Sequence, residues 1–144
     1  MDDRQRLEQM VNEINMYQSQ VELLQQQIET VRASIADLAS AEESLNAIDG
    51  KENTETFVPI GAGSFVIAEI KNTDQVIMGL GAGAAAKKDI NEAKESISSQ
   101  RKELEQLTDK MVGDVQKLTD YIVKKSPEAE ALLRKVETEE AQKQ

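Results

Sequence analysis

The sequence contains no cysteine, no histidine and no tryptophan, and only two phenylalanines, two tyrosines and two prolines. Without cysteine there is no disulfide framework, no thiolate nucleophile and no zinc-cysteine site. Without histidine, the usual general base near neutral pH and the commonest metal ligand are both missing, so Ser-His-Asp catalysis is impossible within this chain. So few aromatics leave little to stack on unpaired bases. The 17 Lys and Arg are outnumbered by 27 Asp and Glu, a net charge of −10 and the wrong sign for a phosphate-tracking surface. No apolar run approaches the ~20 residues that span a bilayer. The N-terminal MDDRQRLEQM is charged from the start and has no apolar signal core. The expectation is a soluble, cytoplasmic chain without cofactor, metal, nucleic-acid partner or membrane contact.

What is present is helical patterning. Leu7, Met10, Ile14, Tyr17, Val21, Leu24, Ile28, Val31, Ile35 and Leu38 alternate by three and four. That is the seam of a coiled coil. Leu45 and Ile48 extend it, and Asp49-Gly50 supplies a C-terminal stop. Residues 1–49 are therefore read as one long helix.

A second seam follows in residues 88–144. Asp89 and Glu92 resemble a capping box. Ile90, Ala93, Ile97, Leu104, Leu107 and Met111 carry the pattern, with Gln100 as a polar intruder. The phase then slips to Val115, Leu118 and Ile122, a stutter that would loosen the supercoil beside Gly113. Ser126-Pro127-Glu128 reads as the start of a new helix, which predicts an end or kink near Lys125. A short helix is expected through Val136, with Glu137 to Gln144 frayed.

The intervening residues 50–87 have a different texture. Thr56 to Ile60, Ser64 to Lys71 and Gln75 to Leu80 are short, β-branched and apolar. Asn72-Thr73-Asp74 is expected to join the last two as a hairpin. Phe65 and Ile67 share one face, while Val66, Ala68 and Ile70 share the other. A strand apolar on both faces needs cover on both. The chain is thus expected to run out and back as an antiparallel helical hairpin, with each arm ~60 Å long and a small β module where it turns. Three or four short strands leave open edges, and pairing those edges with other subunits, as in a closed barrel, would remove an aggregation hazard.

Gly79, Gly81 and Ala84 satisfy the G-x-G-x-x-G/A spacing of a dinucleotide-binding loop. Such a loop needs a following parallel strand with an acidic ribose ligand, yet residues 89–125 read as helix throughout. The glycines are therefore read as conformational, returning the chain toward the second helix past the slim Ala82 and Ala84 to Ala86. No enzyme is expected.

Residues 57–97, FVPIGAGSFVIAEIKNTDQVIMGLGAGAAAKKDINEAKESI, resemble the archaeal prefoldin α subunits closely, and the flanking arms match in length and placement. Lys87 stands where relatives often carry an acid. The resemblance implies a mainly α fold, a long antiparallel coiled coil joined by two β-hairpins that oligomerise into a β-barrel-like core. It implies a hexamer of two α and four β subunits that holds unfolded polypeptides without ATP and hands them to a group II chaperonin.

On that reading, assembly would use Val58, Ile60, Phe65, Val66, Ile67, Ile70, Val76, Ile77, Met78 and Leu80. Clients would be captured at the arm tips, where Met1, Leu7, Met10 and Val11 lie on one arm and Ile122, Leu132, Leu133 and Val136 on the other. Reachable but dispersed apolar groups suit that task. Leu7 and Met10 fit ordinary seam positions, whereas Val11 and one of the adjacent Leu132 and Leu133 fall off the seam. The rival reading is a structural coiled-coil adaptor, which would have polar tips. The acidic excess is read as a solvated coiled-coil surface that could also steer docking to a basic chaperonin patch.

Overall fold

The structure is a computed structural model that describes residues 2–144. The elements run α1 (Asp3–Ile48), β1 (Glu55–Gly61), β2 (Ser64–Glu69), β3 (Gln75–Gly81), β4 (Ala84–Asp89) and α2 (Ile90–Gln142). They fall into two compact units, one of Met1–Arg32 with Gln106–Gln144 and one of Ala33–Glu105.

In the first unit, α1 starts on a reciprocal cap: Asp2 Oδ1 accepts from the Gln5 N–H at 2.8 Å, and Gln5 Oε1 accepts from the Asp2 N–H at 3.4 Å. The α1 and α2 segments lie antiparallel, as the pairs Asp3–Lys135 and Glu13–Tyr121 show. The α1 seam is the one the heptads predict, with Ile14 and Ile28 buried and its other members half-buried.

The α2 seam corrects the sequence reading. Thr108 is 7% exposed while Leu107 is 43% exposed. With Arg101 and Thr108 in the seam instead of Gln100 and Leu107, the spacing alternates regularly from 101 through 104, 108, 111, 115, 118, 122, 125, 129 and 132 to 136, each of these buried or half-buried. The slip is real, but it sits at 93–97–101 and not beside Gly113.

Helix α2 also runs uninterrupted through Pro127, against the expected break. Pro127 lacks the N–H that would reach the Val123 carbonyl, and Val123 is exposed. The preceding Ser126 hydroxyl donates to the Ile122 carbonyl at 2.7 Å. Residues 137–142 are helical, with Arg4–Glu140 at 3.4 Å and the Thr138 hydroxyl on the Arg134 carbonyl at 2.8 Å as their side-chain contacts.

In the second unit, Leu45, Ile90, Ala93 and Ile97 form the buried core, covered by Leu38, Ala41, Ile48, Val76 and Met78. Each large side chain in it contributes about 1.5–3 kcal/mol by leaving water. Gly50 at φ 76° ends α1, with the Lys51 N–H on the Ile48 carbonyl at 3.0 Å. Asp89 Oδ1 caps α2 by accepting from the Asn91 N–H at 2.8 Å.

The strands form two separate antiparallel hairpins, β1–β2 and β3–β4. The expected β2–β3 pairing through residues 72–74 does not occur, and Ala84–Asp89 is a fourth strand instead of a slim passage. The reason is turn chemistry. Tight two-residue hairpin turns need left-handed backbone, which Ala62-Gly63 (φ 51° and 72°) and Ala82-Gly83 (φ 52° and 78°) supply. Residues 72–74 contain no positive φ and form an Asx turn, with Asn72 Oδ1 accepting from the Asp74 N–H at 2.7 Å. Both hairpins carry the same Gly-Ala-Gly turn, preceded by a register shift between Pro59 and Gly61 and between Gly79 and Gly81. The nucleotide-loop spacing is thus a hairpin turn.

Candidate functional site

Two surfaces combine apolar character with exposure. The first is the hairpin pair of the second unit. Each hairpin has only two strands, so every strand keeps one unpaired edge. Phe57 (67% exposed) and Ile67 (66%) are cross-strand partners on one face of β1–β2, while Val58 and Val66 are partners on the other. Both faces of this hairpin are therefore uncovered. In β3–β4 only one face is: Val76 and Met78 pack on the unit's own core, and Ile77 and Leu80 are exposed.

Of the residues expected to serve assembly, Val58, Ile60, Phe65, Val66, Ile67, Ile77 and Leu80 are exposed. Ile70, Val76 and Met78 are half-buried, and the last two serve the core. Sequence reasoning missed Phe57, whose ring lies 6.4 Å from that of Phe65. The alternation in TFVPI places it on the face of Phe65 and Ile67.

The second surface is the end of the first unit where α1 begins and α2 finishes. Asp3 Oδ2 accepts from Lys135 Nζ at 2.7 Å, which lowers the Asp3 carboxyl and raises the Lys135 ammonium relative to their ordinary pKa values. About three to four turns inward, Tyr121 donates to Glu13 Oε2 at 2.6 Å and meets Tyr17 edge-on at 4.7 Å. The carboxylate acceptor pushes the Tyr121 phenol up to about 12. Arg6, Gln9, Met10, Glu13, Tyr121 and Lys125 line a shallow cleft here of about 320 Å³.

The expected tip residues separate into two groups. Val11 and Leu133 are exposed. Leu7, Met10, Ile122 and Leu132 are half-buried on the seam, and Val136, at 8% exposure, is taken up by it. Val136 is therefore turned away from solvent, because it continues the 129–132–136 spacing. Met1 lies outside the described residues. Exposed apolar side chains that the sequence reading did not name are Met16, Leu23, Val112 and Val123. All four lie off the heptad seam, which is the signal that would have found them. Among the described residues no group of three Asp, Glu, His or Cys could hold a metal ion, and no helix is long and apolar enough to cross a membrane.

The Prefoldin family profile, described as prefoldin subunit, matches residues 17–139. A prefoldin subunit alpha of Methanobrevibacter smithii is 48% identical over 132 residues, 92% of this chain and 90% of the relative. The prefoldin subunit alpha of Methanosphaera stadtmanae is 40% identical over 93% of this chain and 96% of its own length. Among solved structures, a chain of the filamentous PFD from Methanocaldococcus jannaschii superposes with a TM-score of 0.66 at 23% identity, covering 78% of this chain and 94% of that one. That likeness concerns the fold.

Proposed function

This chain belongs to the prefoldin family, and from that premise we propose that it is an α-type subunit of an ATP-independent chaperone that holds unfolded polypeptides. Its hairpins join those of β-type subunits and of another α subunit in a β-barrel-like core, in a hexamer of two α and four β. The residue spans 1–49, 50–87 and 88–144 act as arm, assembly module and arm, with the module extended to Asp89 by β4. The assembly passes held clients to a group II chaperonin in the cytoplasm and performs no catalysis.

The observation that carries the holding role is the pair of exposed apolar side chains, Val11 and Leu133, flanking the seam where α1 begins and α2 finishes. A tether would have polar residues there. Two such groups are too dispersed for stable self-association yet available to an apolar segment.

The test replaces Val11 and Leu133 by Ser, reconstitutes the chain with a β-type subunit, and follows client aggregation by light scattering without ATP. Weaker suppression by an oligomer of unchanged mass is expected. Unchanged suppression would remove these two residues from the holding surface.

A further inference from the structure

We propose that the groove of the first unit lined by Leu23, Gln26, Gln27, Val31, Leu107 and Met111 is a second holding site, for an extended and uncharged segment of an unfolded polypeptide. This rests on the chaperone reading above and adds a place to it. Met10 and Leu23 are separated by thirteen residues of continuous helix, ~20 Å along α1, so the groove is distinct from the end of the unit.

Coiled-coil flanks are where charged residues normally stand. In a chain of which 31% is charged, none of these lining residues is, and residues 14–28 contain a single charge, Glu22. Leu23 is 56% exposed because it lies off the α1 seam, and Leu107 is 43% exposed because Thr108 takes the seam position on α2. Neither leucine is consumed in packing the helix pair. The groove measures about 500 Å³.

Three properties select the occupant. The first is size: a few apolar side chains fall far short of the ~800 Å² per partner that stable protein interfaces bury, which rules against a permanently docked helix. The second is charge, since a chain of net −10 with a neutral groove disfavours acidic segments. The third is polar chemistry. The Gln26 and Gln27 side chains each offer a carbonyl acceptor and an amide donor, the complement of a peptide backbone. Backbone recognition tolerates any client sequence, and the thioether of Met111 adapts to whatever side chain enters.

Because the chain lacks cysteine, Gln27→Cys, Leu133→Cys and Lys117→Cys each create a single thiol. Each variant is labelled with benzophenone maleimide, reconstituted with β-type subunits, and irradiated with reduced, iodoacetamide-blocked lysozyme as the unfolded probe. Client adducts are expected from positions 27 and 133 and not from the exposed position 117. Adducts from 133 alone would overturn the groove and leave the holding role intact. Adducts from neither would overturn both, and adducts from 27 to another subunit, or equal adducts from 27 and 117, would overturn the groove. Adding Leu23→Glu and Leu107→Glu should lower the yield at 27 at least fivefold with Tm and the yield at 133 unchanged. An unchanged yield at 27 would also overturn it.

Discussion

Tyr121 and Glu13 are joined across the helix pair by a 2.6 Å hydrogen bond in which the phenol donates to the carboxylate. The bond places a neutral donor against an anion, so ionising the phenol would set two negative charges side by side. This contact and the edge-on Tyr17 ring tie α1 to α2 in that unit, while within α2 the Lys125 ammonium lies 6.0 Å from the centroid of the Tyr121 ring.

The bond predicts its own titration. Tyr121 should ionise at about 12, well above the ~10 of a free phenol. A group raised on folding stabilises the fold fully below its unfolded pKa and loses that contribution as pH rises through the folded one. The contribution should therefore be intact below about pH 10 and disappear through about 12. Absorbance at 295 nm in a Tyr17→Phe background reads Tyr121 alone, and Glu13→Gln should shift its midpoint toward 10.

Arg101 gives a second prediction. Its Nε donates to Glu42 Oε2 at 3.0 Å and its Nη1 to Glu105 Oε1 at 2.8 Å, bonds that raise the guanidinium pKa, Glu105 most and then Glu42. Glu42 Oε1 is buried without a hydrogen-bond partner. Replacing Arg101 alone by Met strands the Glu42 carboxylate, whereas replacing both by Met removes the stranded charge. Thermal unfolding should show a lower Tm for Arg101→Met and recovery to or above the parent value in the double variant.

The same stretch explains what was legible in the sequence. The α1 seam was readable because nearly every seam position is apolar. The α2 seam puts Arg101 and Thr108 where apolar residues are expected and Leu107 outside it, so residue type pointed one position away from the true stripe. Tertiary pairing with Glu42 outweighed the apolar preference at 101, and this was not visible from local spacing. Val136 misled for the opposite reason: an apolar residue near a helix end reads as available until its partners are known. Three of the four strand segments were readable from composition; the alanine-rich β4 was not, and the pairing depended on which turns contain left-handed residues. Leu107→Gln should change stability by less than about 0.5 kcal/mol, and Thr108→Asp should cost about 2–3 kcal/mol by burying a charge, as measured by urea unfolding.

The two hairpin turns offer a stabilising change. Ala62 and Ala82 adopt φ of 51° and 52°, a backbone region that Cβ sterics disfavour. Asn tolerates this conformation and is the preferred first residue before Gly in such turns. Ala62→Asn and Ala82→Asn should each stabilise their hairpin by about 0.5–1 kcal/mol. Slower amide exchange across β1–β2 and β3–β4 would register the gain, and assembly should be unaffected because neither side chain lies in a strand.

Pro127 distinguishes two structures for the end of α2. If a new helix began there, proline would occupy its first turn, where the missing N–H costs nothing, and Pro127→Ala would be neutral or destabilising. In the continuous helix Ile90–Gln142, Pro127 is interior and removes the N–H that would bond the Val123 carbonyl. Interior proline costs about 3 kcal/mol relative to alanine. Pro127→Ala should therefore raise stability by about 1–3 kcal/mol. The increase should appear as a higher melting temperature in ellipticity at 222 nm and as slower exchange of the amides on either side of residue 127. Asp3–Lys135 and Arg4–Glu140 lie beyond the proline, so a stiffer helix should also protect those contacts at the end of the unit.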